Sequence, residues 1–115
     1  MIDATKEIEP QMVLDEAIQR EIVSRIVGTA CPNKIFLFGS AASGEMGPDS
    51  DIDLLVILQD AENPRQQSVR IRRLLRGIPF PFDILVRSQE QFEKFKDVVG
   101  SIFYTAIKHG RVLYG

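Results

Sequence analysis

Residues 37–58, LFGSAASGEMGPDSDIDLLVIL, place a Gly-Ser pair after one apolar run and Asp-Ile-Asp at the head of the next. The runs are KIFLF, residues 34–38, and DLLVIL, residues 53–58. Each is short, unbroken and rich in β-favouring residues, which predicts strands buried on both faces. Side chains alternate along a strand, so Asp51 and Asp53 point one way and Ile52 the other. Two unit charges about 4 Å apart repel by about 4 kcal/mol at an effective dielectric of 20. Such a pair must be protonated, exposed or compensated by a cation.

A third strand-like run, FDILV at residues 82–86, carries Asp83 near its start. Neighbouring strands lie about 4.8 Å apart, so if the second and third strands are adjacent, Asp83 joins the pair from the side. Hard divalent cations prefer oxygen ligands, and Mg²⁺ is commonly held by one or two carboxylates together with substrate phosphates. Gly39 lets the backbone turn sharply and approach a ligand. Ser40 can cap a short helix whose first N–H groups then face outward as a phosphate seat. A phosphate cradle beside a carboxylate cluster describes a nucleoside triphosphate held through Mg²⁺.

Helical patterns flank the three strands. From Gln11 to Val27, Leu14, Ala17, Ile18, Ile22 and Ile26 recur every three or four residues, with Val13, Val23 and Val27 widening the stripe. Gly28 is the expected stop, followed by turn chemistry in CPN, residues 31–33. PRQQSVRIRRLLRG, residues 64–77, sets Ile71, Leu74, Leu75 and Ile78 at helical spacing and ends at Gly77. Ser88 with Gln91 matches a capping box, with Phe92 and Phe95 as the expected inward face. A last helix over Ser101 to His109 stops at Gly110, and RVLYG closes the chain. Strands interleaved with helices predict an α/β fold: a small mixed sheet of about three or four strands with helices packed against it. At 115 residues the expectation is a single domain over 1–115, with residues 1–10 loosely held.

GSAASGEMGPDSDID is Gly-Ser, ten residues, then Asp-x-Asp. Set between strand-like runs and followed by a later strand Asp, it resembles the minimal nucleotidyltransferase (MNT) family of the polymerase-β-like superfamily. The likeness is closest over residues 34–58 and continues through FDILV to AIKHGRVLYG. The resemblance implies the minimal nucleotidyltransferase fold, with Gly39 and Ser40 holding the triphosphate of ATP. It implies two Mg²⁺ ions on Asp51 and Asp53, with Asp83 sharing one ion and helping to activate an acceptor hydroxyl. AMP would move to that hydroxyl and pyrophosphate would leave. Many relatives carry arginines shortly after Gly-Ser; here those positions are Ala41 and Ser43. Either nucleotide binds more weakly, or Arg65, Arg87 or an arginine of a partner chain supplies the charge.

Relatives this short lack the domain that usually binds an acceptor, so the resemblance points to a partner: a HEPN-domain toxin whose tyrosine is modified, with this chain as its antitoxin, in an oligomer of the two. A binder that neutralises the toxin without chemistry and a transferase acting on an aminoglycoside-type small molecule are the alternatives.

Composition bounds these readings. The apolar fraction of 44% and charged fraction of 26% are those of an ordinary folded chain. The formal net charge of −2 argues against a dedicated nucleic-acid binder. One cysteine, Cys31, excludes an intrachain disulfide, and with the single His109 it builds no zinc site. The absence of a signal core or a membrane-length apolar run leads to the expectation of a cytoplasmic protein. Arg65, Arg70, Arg72, Arg73 and Arg76 form either a solvated helix face or a docking surface for phosphate, RNA or an acidic partner. Phe92, Phe95, Ile102, Phe103 and Ile107 are expected in the core.

Overall fold

The computed structural model describes residues 14–44 and 50–115. The expectations for residues 1–10, for Gln11 and for Val13 lie outside the described residues. The elements run α1 (Glu16–Ala30), β1 (Lys34–Phe38), α2 (Ser40–Ser43), β2 (Ile52–Leu58), α3 (Pro64–Leu74), β3 (Phe82–Ser88), α4 (Gln89–Phe95), α5 (Ile102–His109) and β4 (Arg111–Tyr114). This is the mixed α/β architecture expected, with RVLY supplying a fourth strand.

The sheet order is β3-β2-β1-β4. β1 runs antiparallel to both β2 and β4, while β2 and β3 run parallel. The parallel pair needs a crossover, and α3 provides it. β2 is central and buried along its whole length except at Asp53, which explains why its sequence is a continuous apolar run rather than an alternating one.

Each face of the sheet has its own core. On one, Ile35, Leu37, Leu54, Val56, Ile84 and Val86 pack under α1 and α3 through Ile22, Ile26 and Ile71, and under Leu75 just past the end of α3. On the other, Phe36, Leu55 and Ile57 pack under α4 and α5 through Phe92, Phe103 and Ala106. Phe36 stacks on Phe92 at 5.8 Å, and Phe92 meets Phe103 edge-on at 6.0 Å. Arg25 ties the first layer together: its guanidinium donates to the carbonyls of Leu74 and Arg76 at 3.1 and 2.8 Å, joining α1 to the end of α3.

Several local expectations need correction. α1 does not stop at Gly28 but at Cys31, which adopts φ 49° before Pro32. Gly28 faces open space, so a glycine inside the helix is tolerated there, whereas Pro32 cannot continue it. Leu14 is buried but precedes the cap residue Asp15, and Ala17 is exposed. Gln19 is buried instead, donating to the Leu14 carbonyl at 2.8 Å and accepting from Arg111 at 3.4 Å. α3 ends at Leu74, and Gly77 (φ +98°) serves the turn that follows. Phe95 and Ile107 stay 37% and 45% exposed, because α4 and α5 are short and only one side of each reaches the sheet. No helix among the described residues is long and apolar enough to cross a membrane.

Candidate active site

β1 ends at Phe38, whose register partner on β2 is Asp53. The chain leaves β1 through Gly39, which therefore arrives beside the Asp53 side chain. Gly39 has φ +73° and ψ −155° and occupies the cap position of the four-residue helix α2. A Cβ at position 39 would overlap Asp53 Oδ2 and lie 3.2 Å from its carboxyl carbon. Glycine is required twice over here, by backbone conformation and by close approach to a carboxylate. The expected cap by Ser40 does not occur: Ser40 is the first residue of α2 and no side chain caps it. The carbonyl of Gly39 instead accepts from the N–H groups of Ala42 and Ser43, at 3.1 and 3.3 Å.

Asp83 is the direct register partner of Asp53 across the parallel β2–β3 pair. The two carboxylates therefore emerge side by side on the face that carries Leu55 and Leu85 further along. Asp51 sits one residue ahead of β2 and is exposed. The end of β1, the start of β2 and the start of β3 all fall at one edge of the sheet. Gly39, Ser40, Asp51, Asp53 and Asp83 are gathered there from three separate segments.

The electrostatics agree with that placement. Burial holds the Asp53 carboxyl above its ordinary aspartate range, and the neighbouring charges of Asp83 and then Asp51 push it further the same way. No lysine or arginine among the described residues forms an ion pair with any of the three; the ion pairs are Arg20–Glu16, Arg25–Glu21 and Lys96–Glu93. Among the described residues, no three acidic, His or Cys side chains are drawn in tightly enough to be a finished metal cage. As a donor set the three carboxylates suit a hard divalent ion: all oxygen and anionic, with Asp53 and Asp83 fixed on paired strands.

A groove of about 900 Å³ opens beyond Asp83, between the start of α3 and the outer edge of β3. Arg65 and Arg87 both line it. Residue spacing gave no sign of this groove, because it depends on how α3 lies against β3.

Carboxylates on adjacent strands facing a glycine turn, at the edge of a mixed sheet covered by helices on both faces, define a nucleotidyltransferase-like arrangement. The family model described as "Nucleotidyltransferase domain" matches residues 17–109. The chain belongs to that family. Among solved structures it is similar to a chain of a toxin–antitoxin complex determined with AMP-PNP, at 20% identity and a TM-score of 0.62, covering 84% of this chain and 73% of that one. A mutant toxin–antitoxin MntA–HpeT structure matches at 18% identity and a TM-score of 0.61, again over 84% and 73% of the two chains. A putative nucleotidyltransferase from Sulfolobus solfataricus matches at 24% identity and a TM-score of 0.51, over 65% of this chain and 68% of that one. These likenesses establish the minimal nucleotidyltransferase fold. A search of curated proteins gives no match.

Proposed function

We propose that this chain is a Mg²⁺-dependent nucleotidyltransferase that moves AMP from ATP to a tyrosine hydroxyl of a HEPN-domain toxin, and so acts as its antitoxin. The observation that carries the proposal is the Asp53–Asp83 register pair, with Asp51 beside it and Gly39 pressed against Asp53. Family membership supports the reaction class, and the toxin–antitoxin complex with AMP-PNP supports both the nucleotide and the partner.

In this reading Gly39 and the opening N–H groups of α2 seat the triphosphate. Asp51, Asp53 and Asp83 hold two Mg²⁺ ions, which when bound lower the hydroxyl pKa and steady the attacking and leaving oxygens. The acceptor oxygen attacks the α-phosphorus and forms the new P–O bond. The bond from that phosphorus to the bridging oxygen breaks, and pyrophosphate leaves with its electron pair. Asp83, on the strand farthest from Gly39, takes the hydroxyl proton.

The test uses ATP labelled at the α-phosphate, Mg²⁺ and the product of the neighbouring gene. Label is expected to move to that product and to be lost with Asp53→Ala. Transfer that persists in Asp53→Ala contradicts the proposal. A second reading has its own observation: Ala41 is buried and Ser43 exposed where many relatives carry arginine, so α2 offers no cation to phosphates. A binder that neutralises its toxin by contact alone would keep protecting cells when Asp51→Ala and Asp53→Ala are combined; the transferase would not.

A further inference from the structure

We infer that the groove between α3 and β3 receives the acceptor, and that Arg65 and Arg87 select a polypeptide segment with acidic side chains beside the reacting hydroxyl. The inference rests on the transferase reading and deepens it.

Position across the sheet assigns the groove. The order β3-β2-β1 sets Asp83, Asp53 and the Gly39 turn in a row. In phosphoryl-type transfer the attacking and leaving oxygens lie roughly in line on opposite sides of phosphorus. With the triphosphate at Gly39 and Ser40, the attacking hydroxyl approaches from the Asp83 side. The groove opens on that side, lined by Glu62, Asn63, Arg65, Ser68, Asp83 and Arg87 among others. Arg65 and Arg87 therefore stand on the wrong side to replace cations missing from α2.

The groove's chemistry narrows its occupant. Neither Arg65 nor Arg87 forms an ion pair among the described residues. The Arg87 guanidinium folds back and donates to the Val86 carbonyl at 2.8 Å. The Ser68 hydroxyl donates to the Ile84 carbonyl at 2.8 Å. Two carbonyls of the edge strand are thus already capped by side chains, which disfavours an occupant that docks by adding a strand. Recognition falls to side chains, and two forked cations match carboxylates bidentately. Glu62 is the one acid on the rim besides Asp83; it repels carboxylates on its own side and so confines the charges of an acidic occupant to Arg65 and Arg87.

The experiment measures fluorescence anisotropy with the full chain. The probes are a short labelled peptide with one tyrosine between glutamates, its lysine counterpart, and a single-stranded RNA with a free 3′ hydroxyl. The variants are Arg65→Gln with Arg87→Gln, and, as a control removing equal charge elsewhere, Arg72→Gln with Arg76→Gln. The acidic peptide is expected to bind in preference to the other two, and to lose about tenfold or more in the first variant but not in the control. Equal loss in both variants, no binding of the acidic peptide, or preference for the RNA overturns the inference. Calorimetry with Mg²⁺–AMP-PNP separates the two levels. Nucleotide binding intact in Arg65→Gln/Arg87→Gln supports an acceptor role, and its loss there overturns it. Failure of the wild-type chain to bind nucleotide while arginine-dependent peptide binding persists sinks the transferase reading and leaves the groove's specificity standing.

Discussion

Gly39 and Asp53 constrain each other, and each could be recognised from sequence for a different reason. Gly39 follows a strand in a Gly-Ser pair, while Asp53 opens a run too apolar to accept a charge casually. Their contact could not be read, because it depends on the Phe38–Asp53 register. Gly39→Ala would place a methyl group against the Asp53 carboxylate at a backbone angle that alanine adopts with strain. It is expected to cost on the order of 1–3 kcal/mol in chemical denaturation and to abolish nucleotide binding; a stable, nucleotide-binding variant would refute the close approach. Asp53 itself is held above its ordinary pKa by burial, then by Asp83 and Asp51. The folded state therefore keeps this proton more readily than the unfolded chain does. The contribution of Asp53 to stability is best at acidic pH and declines as pH rises through the raised value. Without divalent ions, Asp53→Asn is accordingly expected to melt at a higher temperature than wild type near pH 7, with the gap closing towards about pH 4. Thermal melts across that range check it, and a gap that is constant with pH would contradict it.

Elements were legible where the local chemistry was complete. The Ser88–Gln91 capping box is present with both of its hydrogen bonds, and the Ser101 hydroxyl accepts from the Tyr104 N–H at 3.1 Å. Removing one cap, as in Ser88→Ala, is expected to cost about 1 kcal/mol in denaturant unfolding. A much larger loss would mean that α4 nucleates the second core rather than merely packing on it. Boundaries set by long-range contacts were less legible. α1 outruns Gly28 because a solvent-facing glycine does not end a helix already packed on the sheet through Ile22 and Ile26. RVLY lacks the continuous apolar signature of the other strands because β4 is only four residues long and mostly open to solvent, with Val112 59% exposed. The inward side of α4 was only half legible: Phe92 is buried, while Phe95 stacks on Phe103 at 6.4 Å and remains open to solvent on its other side.

At the scale of the molecule, one buried strand holds both cores and the acidic edge. β2 sends Leu54 and Val56 into one layer and Leu55 and Ile57 into the other, and presents Asp53 at its open end. Ile57 is fully buried, so Ile57→Ala is expected to destabilise by about 2–5 kcal/mol. Near its melting point that variant should lose nucleotide binding and fold together, since strand and site are one unit; separate transitions would show otherwise. The fold class followed from the interleaving of strand and helix patterns. The groove beside β3 did not, since it arises from the way α3 lies against the edge strand. The account as a whole stands on the acidic edge binding a nucleotide through a divalent ion. Its most direct test is calorimetric titration of the wild-type chain and Asp53→Asn with AMP-PNP, in Mg²⁺ and in EDTA. Binding is predicted only for wild type in Mg²⁺, while Asp53→Asn remains folded by circular dichroism. Equal binding in EDTA, or in Asp53→Asn, would contradict the assignment of this edge as the catalytic site.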